Sequence, residues 1–383
     1  MSADLVTLFN DFDRGRLSRR QLLTALGVAI ALRPASAFAQ GQCGGARAGT
    51  PECDPTPAKL PFEPTGWNTV LLDHLSCRVA DYPKEAAYYA ALMNWKIRSD
   101  DGTQAVLDIG DWGGLVLRGG YVAPPPPPAP TATPAPPAGD AAAGGRGGGR
   151  GGGRGPAVPR NALFDNFCWG IEPWDAKKVE AELRKRGLTP VADNQGKDFQ
   201  SFHVKDPDGF DLQISNGNRK NRRQRPANGK TSAPAPFEPT NWKTVWLDHI
   251  SFEVSNYKET VAFYTALLGW KPGTDEGSQN QCEIGDVGGI IIRRGGGGNR
   301  GGAAPTTPPA RRAGMGHISF GITPFDPDQV KAELEKRGLT ARVDTGGRGD
   351  IHTASYKSYH TTTPDGYDLQ ISATTRANRN PTA

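Results

Sequence analysis

The chain is written twice, and that duplication constrains its fold more than any other feature. FEPTGWNTVLLDHLS at 62–76 recurs as FEPTNWKTVWLDHIS at 237–251, AELRKRGLT at 181–189 as AELEKRGLT at 332–340, and PDGFDLQIS at 207–215 as PDGYDLQIS at 364–372. Three matches in the same order mean that one architecture must be buildable twice from one chain. The expected domains are 61–217 and 237–373, joined by a basic, Asn-rich linker at 218–236 and followed by a tail at 374–383.

Each half divides again. From Val245 to Val254 apolar and polar residues alternate, so Leu247, His249, Ser251 and Glu253 are expected on one strand face, with Ile250, Phe252 and Val254 on the other. Val261, Phe263, Tyr264, Leu267 and Leu268 follow at helical spacing, and strand-like segments come next at 280–285 and 288–294. The last quarter repeats the order, with a strand at 315–322, a helix at 326–337 and strands at 340–344, 351–361 and 367–373. The unit reads β-α-β-β-β, an α+β pattern used four times, at 61–120, 161–217, 237–294 and 314–373.

Composition matters where it interrupts this pattern. Residues 121–160 hold 11 Pro and 10 Gly and separate the first two units, as the shorter Gly/Pro stretch at 295–313 separates the last two. Such stretches read as linkers. The formal charge of +5 is also local: residues 1–39 contribute +2 and residues 121–160 contribute +3. The remainder is charge-neutral, which argues against a nucleic-acid groove and against reading GGRGGGRGGGRG at 144–155 as an RNA-binding segment. No run of 18 apolar residues exists, so no membrane span is expected.

Residues 1–39 read as an address. Ser18-Arg19-Arg20-Gln21-Leu22-Leu23 leads into an apolar stretch ending near Leu32, and Ala37-Phe38-Ala39 offers a cleavage site. The paired arginines resemble a twin-arginine signal, which implies an exported, periplasmic or extracellular protein. In the segment 40–60 that follows, Cys43 and Cys53 are candidates for a short disulfide loop. Cys77, Cys168 and Cys282 fall in strand-like segments and read as small core residues.

The six histidines carry the chemistry. His74 and His249 share one place in the first strand of units one and three. His317 lies on the polar face of unit four's first strand with Ser319, where unit two has Asn166, with Cys168 on the same face. Asp368, Gln370 and Ser372 share one face of the last strand. If the first and last strands curl around one cleft, His249, His317 and Gln370 can converge there as a facial metal site with open positions.

A four-fold β-α-β-β-β chain with DH-[IL]-S openings and PDG-[FY]-D-L endings resembles the vicinal oxygen chelate (VOC) superfamily, which includes glyoxalases, bleomycin-resistance proteins and extradiol dioxygenases. The resemblance implies two domains of paired modules, each a curved mixed sheet, with a divalent ion held by residues of the first and last strands. The end of unit four is most similar to the extradiol signature, running from His352 through Tyr359, His360 and Thr363-Pro364-Asp365-Gly366 to Gln370. Tyr359, His360 and Gln370 depart from that pattern, Gln370 standing where the family places a carboxylate ligand.

These residues lead to an expectation of a metal-dependent enzyme, most like an extradiol dioxygenase, acting on a small substrate with vicinal oxygens. His249, His317 and Gln370 would hold Fe2+, Mn2+ or Zn2+, with His352 and His360 as acid/base groups and Arg293 as an anion-binding residue. His74, Asn166 and Gln213 would form a degenerate first-half counterpart. A glyoxalase-like lyase or isomerase using the same site and a metal-free binding protein are the alternatives. A homodimer is left open.

Overall fold

The computed structural model describes residues 57–110, 113–124, 160–193, 198–224, 228–295, 313–344 and 358–379. The leader, Cys43, Cys53 and His352 lie outside the described residues. Among those described, no helix is long and apolar enough to cross a membrane.

The first domain contains β1 (Asn68–Val79), α1 (Tyr82–Met93), β2 (Lys96–Asp100), β3 (Gln104–Ile109) and β4 (Gly113–Arg118). It continues with β5 (Ala162–Glu172), α2 (Ala176–Lys185), β6 (Val191–Asp193), β7 (Ser201–Lys205) and β8 (Asp211–Ser215), and α3 (Arg219–Gln224) follows. The second domain repeats the order as β9 (Lys243–Val254), α4 (Tyr257–Leu268), β10 (Lys271–Asp275), β11 (Gln279–Ile284) and β12 (Gly288–Arg294). Then come β13 (Gly314–Thr323), α5 (Pro327–Lys336), β14 (Arg342–Val343), β15 (Ser358–Thr362), β16 (Asp368–Ser372) and the short α6 (Arg376–Arg379). The β-α-β-β-β unit therefore occurs four times, as its sequence pattern predicts. Strand β10, whose Lys-Pro-Gly-Thr-Asp sequence carries no alternation, is held by pairing with β11.

Each domain is one eight-stranded mixed sheet, ordered β2-β3-β4-β1-β5-β8-β7-β6 and β10-β11-β12-β9-β13-β16-β15-β14. The first strands of two modules meet antiparallel at each centre, β1 with β5 and β9 with β13. The last strand of each module lies parallel to its own first strand, as β12 does to β9 and β16 to β13. First and last strands thus sit side by side mid-sheet.

The repeated words in the sequence are mostly structural. Each module helix starts on an Asp or Asn cap: the side chains of Asp81, Asp175, Asn256 and Asp326 accept from backbone N–H groups three residues on. The Arg of each KRG word pins the FEPT word of its own half. Arg186 donates to the carbonyls of Glu63 (3.0 Å) and Pro64 (3.1 Å), and Arg337 donates to those of Glu238 (3.0 Å) and Pro239 (3.3 Å). The PDG word reaches across to the other half: Asp208 accepts from Ser255 N at 2.7 Å and Asp365 from Asp81 N at 3.1 Å.

Apolar packing ties the halves together as well. Trp169 of β5 meets Trp270 edge-on with centroids 5.3 Å apart, and Phe167 meets Phe252 at 5.6 Å. On the other side Trp95 meets Phe320 at 5.2 Å. Cys77, Cys168 and Cys282 are buried, as expected of small residues in these strands.

Candidate metal centre

The site begins with an irregularity in β9. Gly288 pairs with Leu247 and Ile290 with Ile250, so one residue of β12, Gly289, opposes two of β9, Asp248 and His249. On the other side Ser319 pairs with His249 and Phe320 with Leu247. This β-bulge re-aims the strand, the usual effect of one extra residue in a ladder. It corrects the expected alternation: Leu247 is fully buried in the apolar core with Ile250 and Phe252, not on the polar face with His249. Asp248 and His249 emerge together, Asp248 Oδ2 lying 3.3 Å from His249 Nδ1. That approach lies outside hydrogen-bond geometry, since Nδ1 is buried without a hydrogen-bond partner, so the contact is electrostatic.

From β13, His317 brings its Nε2 to 2.9 Å from His249 Nε2. His360 of β15 completes the cluster, its ring centroid 5.0 Å from that of His317. His360 Nδ1 pairs with Asp368 Oδ1 at 3.0 Å, and its Nε2 lies 3.8 Å from Asp344 Oδ2. A carboxylate behind an imidazole fixes both tautomer and ring orientation. His317, His360 and Asp368 offer ligand atoms that all lie within 4.8 Å of one another.

Gln370 is the register partner of both Ser319 and His360. Its Nε2 donates to Asp344 Oδ2 (2.9 Å) and Ser358 Oγ (2.8 Å), whereas its Oε1 is buried without a partner. The amide is clamped with its acceptor left over. Arg293 on β12 is half-buried, its register partner on β9 being Glu253. Its first-half equivalent, Arg118, pairs with both oxygens of Asp165 at 2.7 Å; Gly316 stands in the second half where Asp165 stands in the first.

Electrostatics separate the imidazoles. Burial, then the neighbouring His249, His360 and Arg293, hold the His317 pKa well below its ordinary value, which keeps the ring neutral with a lone pair to offer. For His360, burial acts downward, but the neighbouring Asp344 and Asp368 carboxylates win and raise its pKa.

The donor set fits a divalent ion. Two imidazole nitrogens each about 2.1 Å from one metal, at right angles, would be about 3 Å apart, against the 2.9 Å between His249 and His317. Gln370, in register with Ser319 and His360, has an unpartnered oxygen that could serve as a neutral donor. Negative charge is supplied from behind the imidazoles, by Asp248 and Asp368.

The first-half counterpart differs. Asn166 turns its amide to the carbonyl of Asp211 at 3.3 Å, and Gln213 is clamped by Asp193 (3.2 Å) and Ser201 (2.8 Å). His203 pairs with Asp211 at 3.1 Å as His360 does with Asp368. Arg222 of α3 closes on this region, donating to the Asp73 carbonyl (2.7 Å) and to Asp108 Oδ1 (2.8 Å). The bulge recurs, since Leu72 pairs with Trp169 and His74 with Cys168 while Asp73 is extra.

Sequence reasoning singled out His249, His317, Gln370 and His360, and the last of these joins the cluster directly. It missed Asp248, Asp344 and Ser358. The back-to-back polar pair Asp248-His249 inside an apolar strand was the one signal available for the bulge. Asp344 ends the segment 340–344 expected as a strand, directly after β14, and nothing in that segment points to the site.

Residues 246–371 match the model of the Glyoxalase/Bleomycin resistance protein/Dioxygenase superfamily. No curated protein sequence matches the chain. Among solved structures, the fold is similar to that of the Mn(II)-bound glyoxalase from Novosphingobium aromaticivorans (TM-score 0.51, 14% identity, 80% of this chain and 82% of that one). It is also similar to that of a variant of homoprotocatechuate 2,3-dioxygenase from Brevibacterium fuscum (TM-score 0.50, 16% identity, 83% of this chain and 74% of that one).

Proposed function

Because its second domain belongs to the Glyoxalase/Bleomycin resistance protein/Dioxygenase superfamily, we propose that the protein is an exported, metal-dependent enzyme of extradiol-dioxygenase type, acting on a small substrate with adjacent oxygens. One observation carries this reading: His249, His317 and His360 gather on one sheet face, and Gln370, the register partner of His360, has a buried oxygen with no partner. We assign His249, His317 and Gln370 as the residues that hold the ion, Fe2+, Mn2+ or Zn2+. When bound, a divalent ion supplies Lewis acidity and a template for two adjacent oxygens.

The chain's own residues do the rest. His317, kept neutral by burial, presents a lone pair. His360, steadied by Asp368 at Nδ1, is placed to hold or deliver a proton at Nε2. Arg293, whose charge is felt at His317, draws an anionic substrate group toward the cluster. Arg293→Gln is expected to raise KM for a carboxylated catechol about tenfold, the worth of roughly 1.4 kcal/mol, while leaving KM for an uncharged catechol unchanged. Equal effects on both would remove Arg293 from substrate binding. Export rests on the Arg19-Arg20 leader. It is tested by fractionating cells that express the full chain and its Arg19→Lys/Arg20→Lys form.

Oxygen uptake by iron- or manganese-loaded protein with a panel of catechols tests the reaction. Stoichiometric uptake with ring cleavage is expected. Turnover of a vicinal-oxygen substrate without oxygen uptake would instead favour the glyoxalase-like lyase or isomerase, a reading supported by the uncharged Gln370. Failure to retain any ion would favour a metal-free binding protein.

A further inference from the structure

We infer that the first domain holds a second metal site of different chemistry, built from Asp73, His74 and Cys168 and suited to a borderline cation such as zinc. The bulge at Asp73 turns two consecutive side chains, Asp73 and His74, to the same side of β1, and Cys168 is the register partner of His74 on β5. The Asp73 carboxylate, a His74 nitrogen and the Cys168 sulfur all lie within 4.8 Å of one another, and Asp73 Oδ1 is 3.0 Å from His74 Nδ1. Asp73 and Cys168 are buried, while the His74 side chain retains 17% of its exposure, giving an ion one open side by which to enter.

Comparing the halves gives the site its chemical logic. Ser319, the counterpart of Cys168, spends its hydroxyl on Asp248 Oδ2 at 2.9 Å. In the first domain the histidine of β13 is replaced by Asn166, which turns to a backbone carbonyl, and a thiol appears two residues further along the same strand. One imidazole has been exchanged for one sulfur. Carboxylate, imidazole and thiolate together are a ligand set for zinc, with a fourth position left for water.

Charge permits it. Arg222 and Arg98 stand near Asp73 and Asp108, two cations against two carboxylates, with both arginines directed at Asp108 (2.8 Å each). Arg222 approaches the Asp73 carboxylate at 4.0 Å, a longer ion pair than the 2.8 Å one it makes with Asp108. Binding would convert the Cys168 thiol to a metal thiolate and release one proton for each ion taken up, so affinity should rise with pH.

The test uses the full chain loaded with zinc, dialysed, and analysed for metal per chain. Wild type should retain two ions, Cys168→Ser one, and the double variant His249→Ala/His317→Ala the other one. Cobalt loading adds a spectroscopic readout, because a thiolate ligand gives near-ultraviolet charge-transfer absorption. That band should persist in the His249→Ala/His317→Ala protein and vanish in Cys168→Ser. Serine already occupies the equivalent place in the second domain, so Cys168→Ser should fold, and an unchanged circular-dichroism melt of the metal-free protein would confirm it. A wild-type cobalt protein lacking the thiolate band, or Cys168→Ser retaining as much metal as wild type, would overturn the proposal. Loss of metal only from the histidine double variant would leave the second-domain reading intact and refute this one.

Discussion

Gln370 shows how one residue choice is set by its neighbours. Where a carboxylate would bring charge to a metal, this chain has an amide whose Nε2 donates to Asp344 and Ser358. The first half has the same arrangement, Gln213 donating to Asp193 and Ser201. A Glu at 370 would set one carboxylate against another, and like charges raise each other's pKa. We therefore expect Gln370→Glu to destabilise the metal-free protein by about 1–3 kcal/mol at neutral pH. The introduced acid would have a folded pKa above its unfolded value, so its cost should shrink as pH falls toward 4 and the group takes up a proton. Denaturant melts at several pH values would show this, and adding Asp344→Asn should cancel the loss. A deficit independent of pH would mean that packing, not charge, excludes Glu.

At the scale of elements, the bulge in β9 and the Gly288-Gly289 pair of β12 form one device. Gly289 faces the extra residue so closely that an added Cβ would stand 2.8 Å from the Asp248 carbonyl oxygen. Gly289→Ala should push the bulge away, cost about 1–3 kcal/mol of stability and weaken metal binding about tenfold through the displaced His249. The repeat supplies a control, because Gly114→Ala strikes the first-domain counterpart and should leave the second-domain site unchanged. Calorimetric metal titration of the two variants distinguishes these outcomes. The same bulge marks the limit of what was legible in the sequence. Alternation located β9, β13 and β16 and put Gln370 and Asp368 on one face, because period 2 is the geometry of an extended chain. A bulge breaks that period, so Leu247 was read onto the wrong face and Asp248 was overlooked. β10 was not legible for another reason: this short strand owes its place to its ladder partner β11 rather than to its own residues.

At the scale of the whole molecule, the two domains meet in matched pairs. Trp95 donates to Thr244 Oγ1 at 2.8 Å and Trp270 to Thr69 Oγ1 at 3.0 Å, each crossing from one half to the other. The match breaks at Glu85. This α1 residue is 1% exposed and accepts from Thr363 Oγ1 (2.7 Å) and Asp365 N (2.8 Å) with Oε1, while Oε2 is buried without a partner. The equivalent residue in the second half is Thr260, which donates to its own helix cap. Burial, only partly offset by the two hydrogen bonds, pushes the Glu85 carboxyl from 4.5 up to about 7. Between those values the folded protein holds a proton that the unfolded chain releases, so stability falls as pH rises and the penalty is complete above about pH 7. A shift of that size is worth about 3 kcal/mol. Glu85→Gln keeps the accepting oxygen and removes the charge, but leaves an unpaired N–H₂ that costs about 1 kcal/mol or more. The variant should therefore be more stable than wild type by about 1–2 kcal/mol at pH 8. That advantage should disappear as pH drops below about 4.5, where both chains carry a neutral side chain. Paired urea melts across this range measure the difference directly. A gap of constant size at every pH would show that Glu85 titrates alike in the folded and unfolded chains, so that at neutral pH the interface holds a charged carboxylate rather than a protonated acid.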